Sequence, residues 1–314
     1  MPRRSDVEPR GTAIVIGGGP AGLLAAAHLA GAGMATTLLE AKARFGGRAS
    51  SRQHDNLFLN QGPHALYLGG AAMRELKTLG IELPGWKRRA GQLYIRDGEL
   101  RGEIERPEAL RGWFAEVTSG RGGGDLATTS VSEWLDRSLD GAAREAAAAF
   151  VRLTTLVADH DNFSADVAAI QLRNALTRGV RYLTGGWQTL VDAIAAQARL
   201  RGATLRTRAA VCAVEEELGS WTVSLAEEQL RADVLIVAAG GHGAAARLLG
   251  ERTPAPSGPP VEVSTLDVGM RGLPEPTHRF ALGLDEPTYL GHYSPPKGQK
   301  AQLQTAISFV RVPL

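Results

Sequence analysis

The sequence predicts an α/β chain: a doubly wound, Rossmann-like dinucleotide-binding domain with an α+β domain inserted into it. Three observations predict this class. A β-branched apolar run, a glycine-rich turn, an Ala/Leu-rich stretch and a second apolar run follow one another over residues 12–40. A run of the same character returns at 232–240, after a long region of helical pattern. Proline then crowds the end of the chain, ten of 16 within the last 62 residues, which excludes long helices there.

The elements follow in order. The polar opening MPRRSDVEPR is expected to be a loose tail. TAIVI at 12–16 is a buried parallel strand by its β-branched content, Pro20 to Gly31 a helix, and TTLLE at 36–40 a second strand. From about 70 to 180 the pattern is helical, with AAMRELKTLG, VSEWLDRSL and AAREAAAAFVRLTTLVA separated by loops such as RGGGD at 121–125. A glycine pair opens the amphipathic helix of 185–202, and short strands follow at 203–214 and 221–225. ADVLIVAAG at 232–240 reads as another buried parallel strand, and VEVSTLDVGM and HRFALGL read as strands near the end. This places a discontinuous nucleotide-binding domain at 10–70 and 180–252. A substrate or cap domain then takes 71–179 and 253–314.

Composition excludes several function classes. With 35 basic and 33 acidic residues the formal charge is only +2, so a basic nucleic-acid surface does not define the protein. Cys212 is the single cysteine, which rules out an internal disulfide and argues against a cysteine metal site. Residues 12–35 are apolar enough to resemble a membrane span, but Gly17, Gly18, Gly19 and Pro20 would break a spanning helix at its start. The expectation is a cytoplasmic protein without a membrane span, with peripheral membrane contact left open.

The chemistry sits in Gly17-Gly18-Gly19-Pro20-Ala21-Gly22, which fits G-x-G-x-x-G directly after the first strand. Gly17 permits the tight turn, Gly19 lets the backbone approach a pyrophosphate, and Gly22 lets helix and strand pack closely. The helix start at Pro20 and Ala21 offers N–H groups and a partial positive charge to phosphates. Glu40 closes the second strand, where a carboxylate can accept hydrogen bonds from ribose hydroxyls. It would also repel a 2′-phosphate, favouring NAD or FAD over NADP; Arg44 is the one nearby residue that could oppose this.

The run from Gly17 through Glu40 to Arg44-Phe45-Gly46-Gly47-Arg48 resembles the FAD-dependent amine oxidase and phytoene desaturase superfamily. The resemblance implies FAD as cofactor, with Gly46, Gly47 and Arg48 beside its phosphates and Arg48 as countercharge. LNQGPHAL at 59–66 is similar to the family's stretch near the flavin. The stretch 185–215 is similar to its glycine pair, helix and strand, leading to a valine whose backbone contacts adenine; Val211 is the matching position. The resemblance thus implies Gly17, Gly19, Pro20, Ala21, Gly22, Glu40, Ala41, Gly46, Gly47, Arg48 and Val211 as cofactor-binding residues. Its detailed character is nearest to bacterial phytoene-dehydrogenase-like proteins, which implies hydride removal from an apolar, carotenoid- or lipid-like substrate to FAD.

The family's third cofactor segment, a strand followed by Gly-Asp and a helix, has no match in the closing stretch KGQKAQLQTAISFVRVPL. A non-catalytic dinucleotide-binding remnant, with FAD held loosely and ADP competing nearly as well, is therefore the alternative expectation. Lys42, Lys77, Lys87, Lys297 and Lys300 lack the context of a lysine–water pair for amine oxidation. Gly241-His242-Gly243 with Ala246 formally repeats the fingerprint but lacks a following strand and acid. Asp159-His160-Asp161 reads as a solvated corner rather than a metal cluster, His64 as a structural histidine, and Gly122-Gly123-Gly124 as a flexible connection. Substrate identity, electron acceptor and oligomeric state are not legible.

Overall fold

The computed structural model describes residues 9–55, 57–87, 93–120, 125–254, 256, 258, 260–270, 280–292 and 305–311. The chain divides into two compact units. One comprises Met1–Arg52, Glu75–Leu83 and Gly185–Pro259; the other comprises Gln53–Arg74, Pro84–Thr184 and Pro260–Leu314. Gly122–Gly124 lie outside the described residues.

The first unit is built on a four-stranded parallel sheet. Strand β1 (Thr12–Ile16) is followed by helix α1 (Pro20–Gly31) and strand β2 (Ala35–Leu39). β1 lies between β2 and the strand Val234–Val237, and Thr204–Arg206 pairs with the far side of β2. Both neighbours run parallel to β1, so its backbone groups are satisfied on both edges. Four of its five side chains are buried, which explains the unbroken apolar run. Asp233 fixes the start of the adjacent strand, accepting from the Thr12 N–H at 2.7 Å and the Thr12 hydroxyl at 2.9 Å. Those hydrogen bonds from Thr12 hold its carboxyl below the usual aspartate range. Residues 234–237 are only half-buried, unlike the buried strand that the sequence pattern predicts. They stand at the end of this sheet, with one paired neighbour among the described residues.

α1 packs on the helix Gln188–Leu200 through small residues that allow close approach. Leu23, Ala26, Ala27 and Ala30 are buried on one side, and Leu190, Val191, Ile194, Ala195 and Ala198 on the other. A three-stranded antiparallel sheet of Ala213–Glu217, Ser220–Ser224 and Gln229–Ala232 completes this unit.

The second unit has its own core. Its larger sheet has six strands in the order Ser264–Met270, Thr305–Arg311, Thr288–His292, Phe280–Gly283, Leu93–Arg96, Glu99–Glu103. Only Phe280–Gly283 with Leu93–Arg96 is a parallel pair. The helices Glu108–Ser119, Val131–Ser138, Gly141–Thr155 and Ala165–Arg178 share a core with Phe280, Leu282 and Tyr289 of this sheet. Trp113 and Trp134 meet with ring centres 4.9 Å apart, and Phe114 sets its edge on Phe150 at 5.2 Å. Ser130 starts the second of these helices with a capping box: its hydroxyl accepts from the Glu133 N–H, and the Glu133 carboxylate accepts from the Ser130 N–H. The hairpin 93–103 and the short strand Gly85–Trp86 interrupt a region whose sequence pattern is otherwise helical.

Asp159 and Asp161 are exposed, as a solvated corner requires, but His160 between them is not. Burial, helped by the nearby Arg152 and Arg144 charges, pushes the His160 imidazole down to about 4. A folded-state value below the unfolded one means that the unfolded chain takes up the proton first. Stability is therefore complete above the ordinary histidine value and declines as pH falls from about 6.5 toward about 4. Denaturant midpoints measured from pH 7.5 to pH 4 should show this decline, and His160→Leu should flatten it; an unchanged slope in that variant would show that other groups cause it.

Candidate functional site

The sequence-predicted residues Gly17 to Gly22, Glu40, Ala41, Gly46 to Arg48 and Val211 all fall in the first unit. Gly17 leaves β1 with φ +109°, and a Cβ there would lie 2.3 Å from the Ala238 carbonyl oxygen. Only glycine makes that turn against the neighbouring strand end. A Cβ on Gly22 would lie 1.9 Å from the Gly17 carbonyl oxygen, so the first turn of α1 rests directly on the loop.

Gly19 differs from both. Its backbone is extended, φ −76° and ψ 175°, as a helix N-cap requires. A Cβ there would meet only the Gly46 carbonyl oxygen, at 3.9 Å, so the face above Gly19 is open. Pro20 follows at the first helical position, where its missing N–H costs nothing. The N–H groups of Gly19, Ala21 and Gly22 have no carbonyl one turn earlier to donate to.

Gly46 to Ala49 form a second turn facing the first. The Gly46 N–H donates to the Gly18 carbonyl at 2.8 Å, and a Cβ on Gly47 would stand 3.8 Å from the Gly19 Cα. Within this turn the N–H groups of Ala49 and Ser50 donate to the carbonyls of Gly46 and Gly47. The Gly47 N–H takes no part in those bonds. Arg48 is exposed on the turn's surface. Arg44, the one candidate for a 2′-phosphate, donates instead to the Ser51 carbonyl at 2.7 Å.

Glu40 is buried at the end of β2, 8% exposed. Its Oε2 accepts from the Gly18 N–H at 2.7 Å and its Oε1 from the Lys42 N–H at 2.8 Å. The carboxylate is thereby fixed beside the first turn, and each oxygen keeps capacity for a further donor. Ala41 is exposed immediately beyond it. The chain 206–212 runs alongside: the Glu40 N–H donates to Arg206, and the N–H groups of Arg208 and Ala209 donate to Lys42 and Glu40. Val211 comes two residues later, its side chain against the cluster of Ile14, Ile16, Leu39 and Ala209. Its backbone makes none of the bonds that pin Ala209 and Cys212.

Two features of this site escape a reading of the sequence. Gly18 occupies a free position of the fingerprint, yet a Cβ there would lie 2.5 Å from the Phe45 ring and 3.0 Å from Glu40. The unbroken run of three glycines was the available signal. Gln188, at the start of its helix, bonds to the second turn through its backbone and side chain. Nothing local in the sequence marks it. His64 belongs to the other unit, and among the described residues no cluster of three His, Cys, Asp or Glu could hold a metal. The described helices include none long and apolar enough to cross a membrane.

The arrangement is two glycine turns in which the N–H groups of Gly19, Ala21, Gly22 and Gly47 have no backbone acceptor among the described residues, with a helix N-terminus and a fixed carboxylate at the end of the second strand. Anionic phosphates suit the first and sugar hydroxyls the second. Comparison with known proteins places the chain among relatives. A 74-residue stretch is 45% identical to a phytoene desaturase of Cercospora nicotianae, and a 71-residue stretch is 41% identical to an L-amino-acid oxidase of Sistrurus catenatus edwardsii. These cover 24% and 22% of this chain but only 12% and 14% of those relatives. Among solved structures, an oxidoreductase from Methanosarcina mazei superposes with a TM-score of 0.76 at 17% identity, over 96% of this chain and 79% of that one. Cyclohexylamine oxidase from Brevibacterium oxydans superposes with a TM-score of 0.69 at 19% identity, over 97% and 76%. These show a shared fold. FAD is the cofactor that the family relationship indicates. The family model for flavin containing amine oxidoreductases matches residues 20–265, and the chain belongs to that family.

Proposed function

We propose that the two glycine turns hold the diphosphate of FAD and that the chain is a flavin-dependent oxidoreductase acting on an apolar substrate. The observation that carries the binding half is the open face of Gly19, opposite Gly46 and Gly47. Its neighbours Gly17 and Gly22 are glycine because protein atoms crowd them; Gly19 is glycine where no protein atom does. A phosphate there would accept from the N–H groups of Gly19, Ala21, Gly22 and Gly47, aided by the partial positive charge of α1. Arg48 supplies the countercharge. Glu40 accepts from the ribose hydroxyls, Ala41 lies beside it, and the Val211 backbone meets the adenine.

Bound FAD would supply the hydride acceptor for oxidation of the substrate. The protein's part is to fix the cofactor and exclude water from the reacting atoms. An apolar rather than amine substrate is favoured by the lysines: among the described residues Lys42, Lys77 and Lys87 are all exposed, so none is placed for a buried lysine–water pair. Lys297 and Lys300 lie outside the described residues. The purified chain should show visible flavin absorbance. Under anaerobic conditions that absorbance should bleach with apolar dehydrogenation substrates and not with primary amines. Bleaching by amines alone would overturn the substrate half.

Two variants separate binding from folding. Gly19→Ala needs no strained φ and meets no near atom, so it should lose no more than about 1 kcal/mol of stability, the cost of alanine at an N-cap. Its methyl enters the cradle, and FAD affinity should fall about tenfold or more, roughly 1.4 kcal/mol. Undiminished FAD affinity in folded Gly19→Ala would remove the cradle. Glu40→Ala behaves differently, because it strips the Gly18 and Lys42 N–H groups of their acceptor as well as the ribose. It should lose about 1–3 kcal/mol in FAD binding and also lower the thermal midpoint without ligand. A loss of binding alone would mean that the two backbone bonds contribute nothing to the fold.

A further inference from the structure

Gln188 stands behind the second glycine turn and holds both of its ends. Its backbone N–H donates to the Ser51 hydroxyl at 3.2 Å, and its Nε2 donates to the Phe45 carbonyl at 3.4 Å. The same Nε2 donates to Asp192 Oδ1, one helical turn on, at 2.8 Å. That bond fixes the amide's orientation, with the nitrogen toward Phe45 and Asp192. Oε1 is thereby turned toward Gly46, 3.3 Å from where a Cβ on Gly46 would be. Oε1 is fully enclosed and has no donor among the described residues.

A buried acceptor without a donor opposes folding. An apolar side chain of equal length would fill the space without that cost. It would also surrender the bond to the Phe45 carbonyl. The turn so held is the one whose Gly46 N–H reaches the Gly18 carbonyl and whose Gly47 faces Gly19. The spacing of the two glycine turns therefore depends on where residues 45–51 are anchored, and the anchor is the start of the helix 188–200.

We infer that Gln188 is a positioning residue for phosphate binding: it sets the distance of the Gly46–Gly47 turn from Gly19 without touching the ligand. The inference rests on the FAD reading proposed above. A helix-capping or packing role would affect every ligand alike and would lower stability when the amide is lost. A positioning role affects only ligands that carry the diphosphate.

ADP and adenosine separate the two, because adenosine uses Glu40 and Val211 but places nothing between the turns. Both are titrated against the full chain as parent, Gln188→Met and Gln188→Asn. Met matches Gln in length and helix propensity but has no donor; Asn keeps the amide and falls one methylene short of Phe45. ADP affinity should fall about tenfold in both variants, with adenosine affinity within about twofold of the parent. The thermal midpoint of Gln188→Met should stay close to the parent's, since removal of the orphaned Oε1 offsets loss of the bonds to Phe45 and Asp192. Unchanged ADP affinity, or equal losses for ADP and adenosine with a lowered midpoint, would overturn the inference. If Gln188→Met does not fold, Gln188→Asn carries the same comparison. A parent that binds neither ADP nor FAD would overturn the FAD reading itself, and this shows before any variant is compared.

Discussion

One buried carboxylate ties the first unit's site together. Glu40 accepts from Gly18 in the turn after β1 and from Lys42 just beyond β2, and so fixes two loops that the parallel sheet only brings near each other. The Gly18 carbonyl then receives the Gly46 N–H, which extends the same chain of bonds to the second glycine turn. A buried carboxylate is unfavourable unless it is hydrogen-bonded, and here the backbone supplies the bonds. The acid that the proposed reading gives to the ribose is thus also the acid that holds the first glycine turn in place. Its two roles cannot be separated by substitution, which is why Gly19 is the cleaner probe of the ligand.

The glycines of this site divide by cause. Gly17, Gly18 and Gly22 are crowded by protein atoms, from the Ala238 carbonyl, the Phe45 ring and the Gly17 carbonyl respectively. They set the shape of the loop. Gly19 and Gly47 face each other with space between them. They set the shape of what binds. A fingerprint written as letters treats these positions alike; the atoms around each one show which constrain folding and which constrain binding.

Much of this was legible in the sequence, for local reasons. β1, α1 and β2 each have a pattern that their neighbours in sequence complete, and the fingerprint with Glu40 places the site. The helix from 188 was legible by its apolar spacing, and Gly46-Gly47-Arg48 by resemblance. What was missed depends on distant neighbours or on turn chemistry. The half-burial of 234–237 reflects its place at the end of the sheet, and a strand's composition does not encode that position. The hairpin of 93–103 was in fact signalled: Asp97 and Gly98 both have positive φ, 55° and 73°, as an Asp-Gly pair in a two-residue turn provides. The turn at Leu218-Gly219, with φ 51° and 79°, carries half of that signal, since leucine is unusual at positive φ. His160 reads as a solvated residue between two acids, and those neighbours carry no sign of its burial.

In the proposed reading, recognition in this site is made largely by backbone N–H groups, by gaps left where side chains are absent and by one carboxylate. Such a site constrains few side chains. The turn must pass Ala238, the loop must accommodate Phe45 and Glu40, and the face of Gly19 must stay open; the rest of the sheet needs only apolar residues of suitable size. A fold can then be shared with proteins that have few identical residues, because what is common is a path of the main chain. The side chains that remain free to differ are those behind the turns, of which Gln188 is one. In the proposed reading, affinity for the diphosphate is tuned from behind the turn while the fingerprint itself is unchanged.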